Sequence, residues 1–129
     1  ALLDAVGTTI AMVHKRQKDM EDKPEHTVFV IITDGAENSS HEFSYKEVQK
    51  MIRNRRKHSG WEFIFLGANI DAIETASRLG IHRDRAANYH ADRKYTEPVS
   101  QEGLNYRDAV SMVILTRRSQ ETVAMRAGL

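Results

Sequence analysis

The sequence contains no cysteine. That absence excludes a disulfide framework, a thiolate metal site and a thiol nucleophile, and it fits a reducing compartment. Only two of the 129 residues are proline and seven are glycine, so collagen-like and low-complexity classes do not apply. No stretch approaches the ~20 continuous apolar residues of a membrane span. The first residues also lack the charged region and apolar core of a secretion signal. These absences point to a soluble, cytoplasmic protein without membrane association. An excess of charge is missing too: 19 Lys+Arg stand against 18 Asp+Glu, so the molecule exerts no general pull on nucleic acid. There is no Gly-x-x-x-x-Gly-Lys-Ser/Thr loop, no Gly-x-Gly-x-x-Gly turn and no Gly-x-Ser-x-Gly elbow, which leaves nucleotide binding and serine hydrolase chemistry without support.

What is present is the composition of an ordinary globular domain, 40% hydrophobic and 29% charged, at a length that suits one domain. Leu3, Val6, Ile10 and Val13 recur at helical spacing and predict an amphipathic helix from Leu2 to about Lys18. After Pro24, the β-branched run Thr27 to Thr33 ends at Asp34-Gly35, and its continuous hydrophobicity predicts a strand covered on both faces. Ser44, with Glu47 three residues on, forms a capping-box signature for a helix with Val48, Met51 and Ile52 inward, stopped by Gly60. Trp61 to Gly67 reads as a second buried strand, and Asp71 to Leu79 as a helix that Gly80 ends. Ala86 to Tyr89 is a candidate short third strand. From Ser100 to about Arg118 the residues Leu104, Tyr106, Ala109, Val110, Val113 and Ile114 predict a closing helix, with a helical tail to Leu129.

Alternating helices and strands imply βαβ units and a mainly parallel sheet with helices on both faces, a three-layer α/β sandwich. Ligands of such sheets bind beyond the carboxyl ends of the strands, which here are the loops from Asp34 to Glu42 and from Gly67 to Asp71. An aspartate at a strand end, followed by a glycine that permits a sharp turn, presents a hard oxygen ligand suited to Mg²⁺, Mn²⁺ or Ca²⁺. Asn69 or Asp71 is placed to cap the helix that follows.

The segment Ile32-Thr33-Asp34-Gly35-Ala36-Glu37-Asn38 resembles the strand and turn that carry the last aspartate of the metal-ion-dependent adhesion site in von Willebrand factor A domains. Leu2-Leu3-Asp4-Ala5-Val6-Gly7 is similar to the start of the helix that follows the site's threonine. Gly60 to Ala72, Gly80-Ile81 and Ala87-Asn88-Tyr89 are similar to the next strands and helix in bacterial and phage proteins of this class. The resemblance implies a single partial domain over residues 1–129, the C-terminal portion of the family fold with its first strands missing. It implies a non-enzymatic protein–protein interaction module, Asp34 as a metal ligand, and a partner-binding rim at Gly35, Glu37, Asn38, Ser39 and Ser40. The Asp-x-Ser-x-Ser sequence and the threonine of the family's site are not found. One carboxylate does not hold an ion that takes about six oxygens, so the chain alone is expected to bind metal weakly or not at all, and Mg²⁺, Mn²⁺ or Ca²⁺ belongs to the intact domain.

Other readings from the residues stay open. Asp34 with Glu37 or His41 could serve a metal-dependent hydrolase or phosphotransferase. A sheet lacking strands could instead pair through an exposed edge as a homo-oligomeric, metal-independent assembly subunit. The basic run Arg53, Arg55, Arg56 and Lys57 falls at a helix end, where cations complement the dipole, with a phosphate-binding patch as the competing reading. His14, His26, His58, His82 and His90 read as surface residues, and Trp61 and Phe65 as core.

Overall fold

The structure, a computed structural model, describes residues 1–35, 37, 39–90, 110–118 and 121–128. It is a mixed α/β fold. In chain order it runs α1 (Leu2–Lys18), β1 (His26–Asp34), α2 (Tyr45–Ser59), β2 (Glu62–Ala68), α3 (Ala72–Arg78), a single 3₁₀ turn (Arg83–Arg85), β3 (Ala86–Asn88), β4 (Val110–Arg118) and β5 (Glu121–Gly128). The sheet has the order β3-β2-β1-β4-β5. Pairing is parallel from β3 through β2 to β1, and antiparallel between β1 and β4 and between β4 and β5.

Local chemistry accounts for the helix ends. Ser44 Oγ accepts from Glu47 N at 3.1 Å while Glu47 Oε1 accepts from Ser44 N at 3.2 Å, a reciprocal cap that satisfies two otherwise orphan donors of α2. Gly60 takes φ +67° at the other end, a conformation that costs an L side chain free energy and a glycine little. Asp71 caps α3 by accepting from Glu74 N at 3.1 Å.

Strand burial alternates. Thr27, Phe29, Ile31 and Thr33 of β1 are buried, as are Phe63 and Phe65 of β2 and Val110, Met112 and Ile114 of β4. They meet Leu3, Val6, Ile10 and Val13 of α1, Val48 and Ile52 of α2, and Ala72 and Ala76 of α3 in one core. The steps β1 to β2 and β2 to β3 move in the same direction across the sheet. Right-handed crossovers then place α2 and α3 on one face, and α1 packs beside α2 there. Phe29 lies at the centre, its ring 6.0 Å from that of Trp61 and 5.4 Å from that of Phe63. Gln17 ties α1 to both strands: its Nε2 donates to Thr27 Oγ1 at 2.9 Å and its Oε1 accepts from Trp61 Nε1 at 3.2 Å.

Three expectations from the sequence need correction. Val110–Arg118 is a strand and not the end of a closing helix, because Val110, Met112 and Ile114 face the core at period two and the backbone pairs with β1 from His26 to Thr33. Residues 100–109, including Leu104, Tyr106 and Ala109, lie outside the described residues. The tail from Glu121 to Gly128 is likewise β5, because its backbone completes a ladder with β4. Finally, β1 and β2 are not covered equally on both faces: Val28, Val30, Ile32, Ile64 and Leu66 are half-buried, and Leu115 of β4 is exposed, since no described helix lies on that side. No helix among the described residues is long and apolar enough to cross a membrane.

Candidate functional site at the carboxyl edge of the sheet

The carboxyl ends of β1, β2 and β3 are laced together by groups that follow each strand. Thr33 pairs with Gly67, and Gly67 with Asn88, so the last residues of all three strands lie at one level. Tyr89 N donates to Gly67 O at 2.9 Å, and Tyr89 Oη reaches across to donate to Thr33 O at 3.4 Å. Burial raises the Tyr89 phenol above its ordinary pKa, and the Asp34 charge nearby adds to the shift. Asn88 Oδ1 accepts from Ala72 N at 3.2 Å, docking the start of α3 against β3.

Asp34 ends β1 in a half-buried position, and its Oδ1 accepts from Asn69 Nδ2. Asn69 holds φ +59°, a left-handed conformation that asparagine tolerates better than most residues, and that bend turns its amide toward the neighbouring strand end. Gly35 follows at φ +143°, where a side chain would be strained, and its carbonyl accepts from Thr33 Oγ1 at 3.0 Å. The expected role of Gly35 in shaping the turn after Asp34 therefore has a backbone cause.

Glu37 and Ser40, of the remaining candidate rim residues, are turned to a different task. Glu37 Oε1 accepts from Leu3 N at 3.0 Å and from Ser40 Oγ, while Ser40 Oγ accepts from Asp4 N at 3.2 Å. Both side chains satisfy first-turn donors of α1, whose own N-cap, Ala1, offers no side-chain acceptor. Ser39 is exposed at φ +57°, and Asn38 lies outside the described residues.

Asp4 returns the connection. Its carboxylate accepts from His41 N at 2.8 Å and from Glu42 N and Phe43 N at 2.9 Å each, fastening the loop after β1 to the start of α1. The hydrogen bond from His41 N, supported by those from Phe43 and Glu42, lowers the Asp4 pKa below its ordinary 3.8 against an opposing contribution from burial. Its folded-state pKa is depressed, so the loop's anchoring is complete above 3.8 and is lost as pH falls through the folded value. Following the amide shifts of His41, Glu42 and Phe43 in an acid titration should therefore give a shared midpoint below 3.8. Asp4→Asn should abolish that midpoint, and a midpoint at or above the ordinary value would contradict the geometry.

These contacts bear on metal binding. Asp34 is engaged by Asn69 and Glu37 by the α1 N-terminus, His41 is exposed, and no group of three or more His, Cys, Asp or Glu side chains among the described residues is placed to hold a metal ion. One carboxylate against about six required oxygens does not fit a hard divalent ion without further ligands. The sequence offers Asn69 only as a candidate helix cap, a role that Asp71 fills, and does not single out Tyr89 or Asp4 as site residues. Only Asn69 carried a local signal, as an asparagine just past a strand end. Comparison with family models, curated proteins and solved structures finds no match for this chain.

Proposed function

We propose that this chain is a non-enzymatic protein–protein recognition module of the von Willebrand factor A type, on a three-layer sandwich whose second helix layer would come from beyond the described residues, with the carboxyl edge of the sheet as its recognition surface. The observation that carries the reading is the placement of Asp34: a carboxylate at the end of an interior strand, followed by a turn that only glycine adopts without strain and steadied by Asn69 from the adjacent strand end. In this reading Asp34 would serve as a metal ligand, and Mg²⁺, Mn²⁺ or Ca²⁺ would take its remaining oxygens from groups beyond the described residues. Gly35 shapes the turn, and Ser39 and Asn38 belong to the rim. Glu37 and Ser40 contribute by holding that rim against α1.

A metal-independent assembly subunit is the second reading, favoured by the half-buried apolar face of Val28, Val30, Ile32, Ile64 and Leu66. One experiment separates the two. In an Mn²⁺ titration followed by paramagnetic broadening of backbone amides, the recognition-module reading expects weak broadening centred on Asp34, Gly35 and Asn69 that Asp34→Ala removes. Broadening centred on Glu37 and His41 would turn the assignment toward metal-dependent hydrolysis. A stable oligomer with no broadening at any of these residues, unchanged by chelator, would replace it with the assembly subunit.

A further inference from the structure

A cavity of about 490 Å³ opens at the opposite, amino edge of the sheet, beside the C-terminal half of α2. Its walls are Arg53, Arg56 and Lys57 on one side and Ile81, His82 and Arg85 on the other, over a floor that includes Trp61 and Phe63. Helical spacing explains the first wall: positions 53, 56 and 57 share one face of α2. That face turns toward the end of α3, where Arg56 Nη1 donates to Gly80 O at 3.4 Å and a Cβ on Gly80 would come within 3.0 Å of the Gln49 side chain. Trp61, Phe63 and Ile81 are each 3% exposed, so the floor is packed core that excludes water beneath the charged walls.

The charge of this cavity is out of proportion to that of the chain. Four cations and one carboxylate line it, leaving a local +3 apart from His82, in a molecule whose total is +1. The carboxylate, Glu62, is already met by Arg85 at 3.2 Å, and Asp84 lies beside His82 at 3.4 Å, outside the lining. The helix dipole accounts for Arg56 and Lys57 in the last turn of α2, but not for Arg53 a turn earlier, nor for Arg85 on another segment. Arg53 and Lys57 stand four residues apart on one helix face, a like-charge spacing that weakens a helix unless an anion lies between them.

We propose that this cavity binds a small ligand carrying two or more phosphoryl groups, held by Arg53, Arg56, Lys57 and Arg85. Guanidinium forks match phosphate oxygens two at a time, and the volume lies in the range of small-molecule sites and not of an extended nucleic-acid track. Trp61, the sole tryptophan, lines the cavity and reports on it. Titrating the full chain with inorganic pyrophosphate at constant ionic strength should give a saturable change in Trp61 fluorescence and in the amide shifts of Trp61 and His82. Arg53 and Lys57 are exposed, so the Arg53→Gln/Lys57→Gln double variant is expected to keep its circular dichroism and to bind about tenfold more weakly or worse. Lys15→Gln, the same kind of charge change on an exposed position of α1, should leave binding unchanged. The proposal is overturned by a response that sodium chloride reproduces, by equal binding in the double variant, or by a response to an RNA oligonucleotide with none to pyrophosphate.

Discussion

Replacing Phe29 by alanine is expected to remove about 3–5 kcal/mol of folding stability, against a total of about 5–15 kcal/mol for a domain of this kind. Phe29 is fully buried on the interior strand of the sheet and packs its ring against Trp61 and Phe63 at once. Its removal therefore takes away both the transfer free energy of the ring and two aromatic contacts worth about 0.5–1.5 kcal/mol each. Neighbours on β1 and β2 are fixed by parallel pairing and cannot collapse far into the void. Urea unfolding followed by far-ultraviolet circular dichroism and by Trp61 fluorescence measures the loss. Phe29→Leu, which keeps most of the volume, should lose less than half as much. An alanine variant within about 1 kcal/mol of the parent would mean that this cluster is not the centre of the core.

The second large effect runs against helix propensity. Gly7 lies inside α1, where exchange for alanine normally stabilises a helix by about 1 kcal/mol. Here a Cβ would stand 2.7 Å from Cγ and Cδ1 of Phe43, and the Phe43 backbone is held in place by its bond to Asp4. Gly7→Ala is therefore expected to destabilise by about 1–3 kcal/mol, because overpacking against an aromatic ring outweighs the propensity gain. Thermal unfolding checks the sign, and a Phe43→Ala background supplies the control. With the ring gone, Gly7→Ala should become neutral or stabilising. If it destabilises equally in both backgrounds, close packing is not why glycine stands there.

The elements up to Asn88 were legible because each carries a local cause. Examples are the helical spacing of Leu3, Val6, Ile10 and Val13, the capping box of Ser44 and Glu47, and the stops at Gly60 and Gly80. The segment after residue 109 was not. Val110, Val113 and Ile114 satisfy a helical spacing while Val110, Met112 and Ile114 satisfy a strand period, and a short apolar run does not decide between them. The deciding influence is β1, whose free edge accepts β4 along its length, and a partner so far away in the chain leaves no trace in a local window. The candidate site divides in the same way. Asp34 and Gly35 could be read from a strand end and a turn. The work of Asp4 depends on three amides nearly forty residues away, and that of Tyr89 on the carbonyl of Thr33 across the intervening strand β2. Glu37 and Ser40 were recognisable as loop residues, but only the fold reveals that the loop lies against the start of α1.

The two sides of β1 differ in how they are closed. Its bonds to β2 join residues separated by one loop and one helix, whereas its bonds to β4 close the entire stretch from Thr33 to Val110. Loop-closure entropy and contact order then set a sequence of events. The unit from α1 to β3 can assemble from near neighbours, and β4 with β5 joins it late. Opening in the reverse order would part the β4 side first, which native-state hydrogen exchange checks as faster exchange of β4 amides than of β2 amides. Each such opening bares a row of unpaired amides and carbonyls on β1 beside Val28, Val30 and Ile32, a template that a strand from a neighbouring molecule can occupy in place of β4. The β1–β4 seam is thereby a site for strand exchange in addition to the outer edges at β3 and β5.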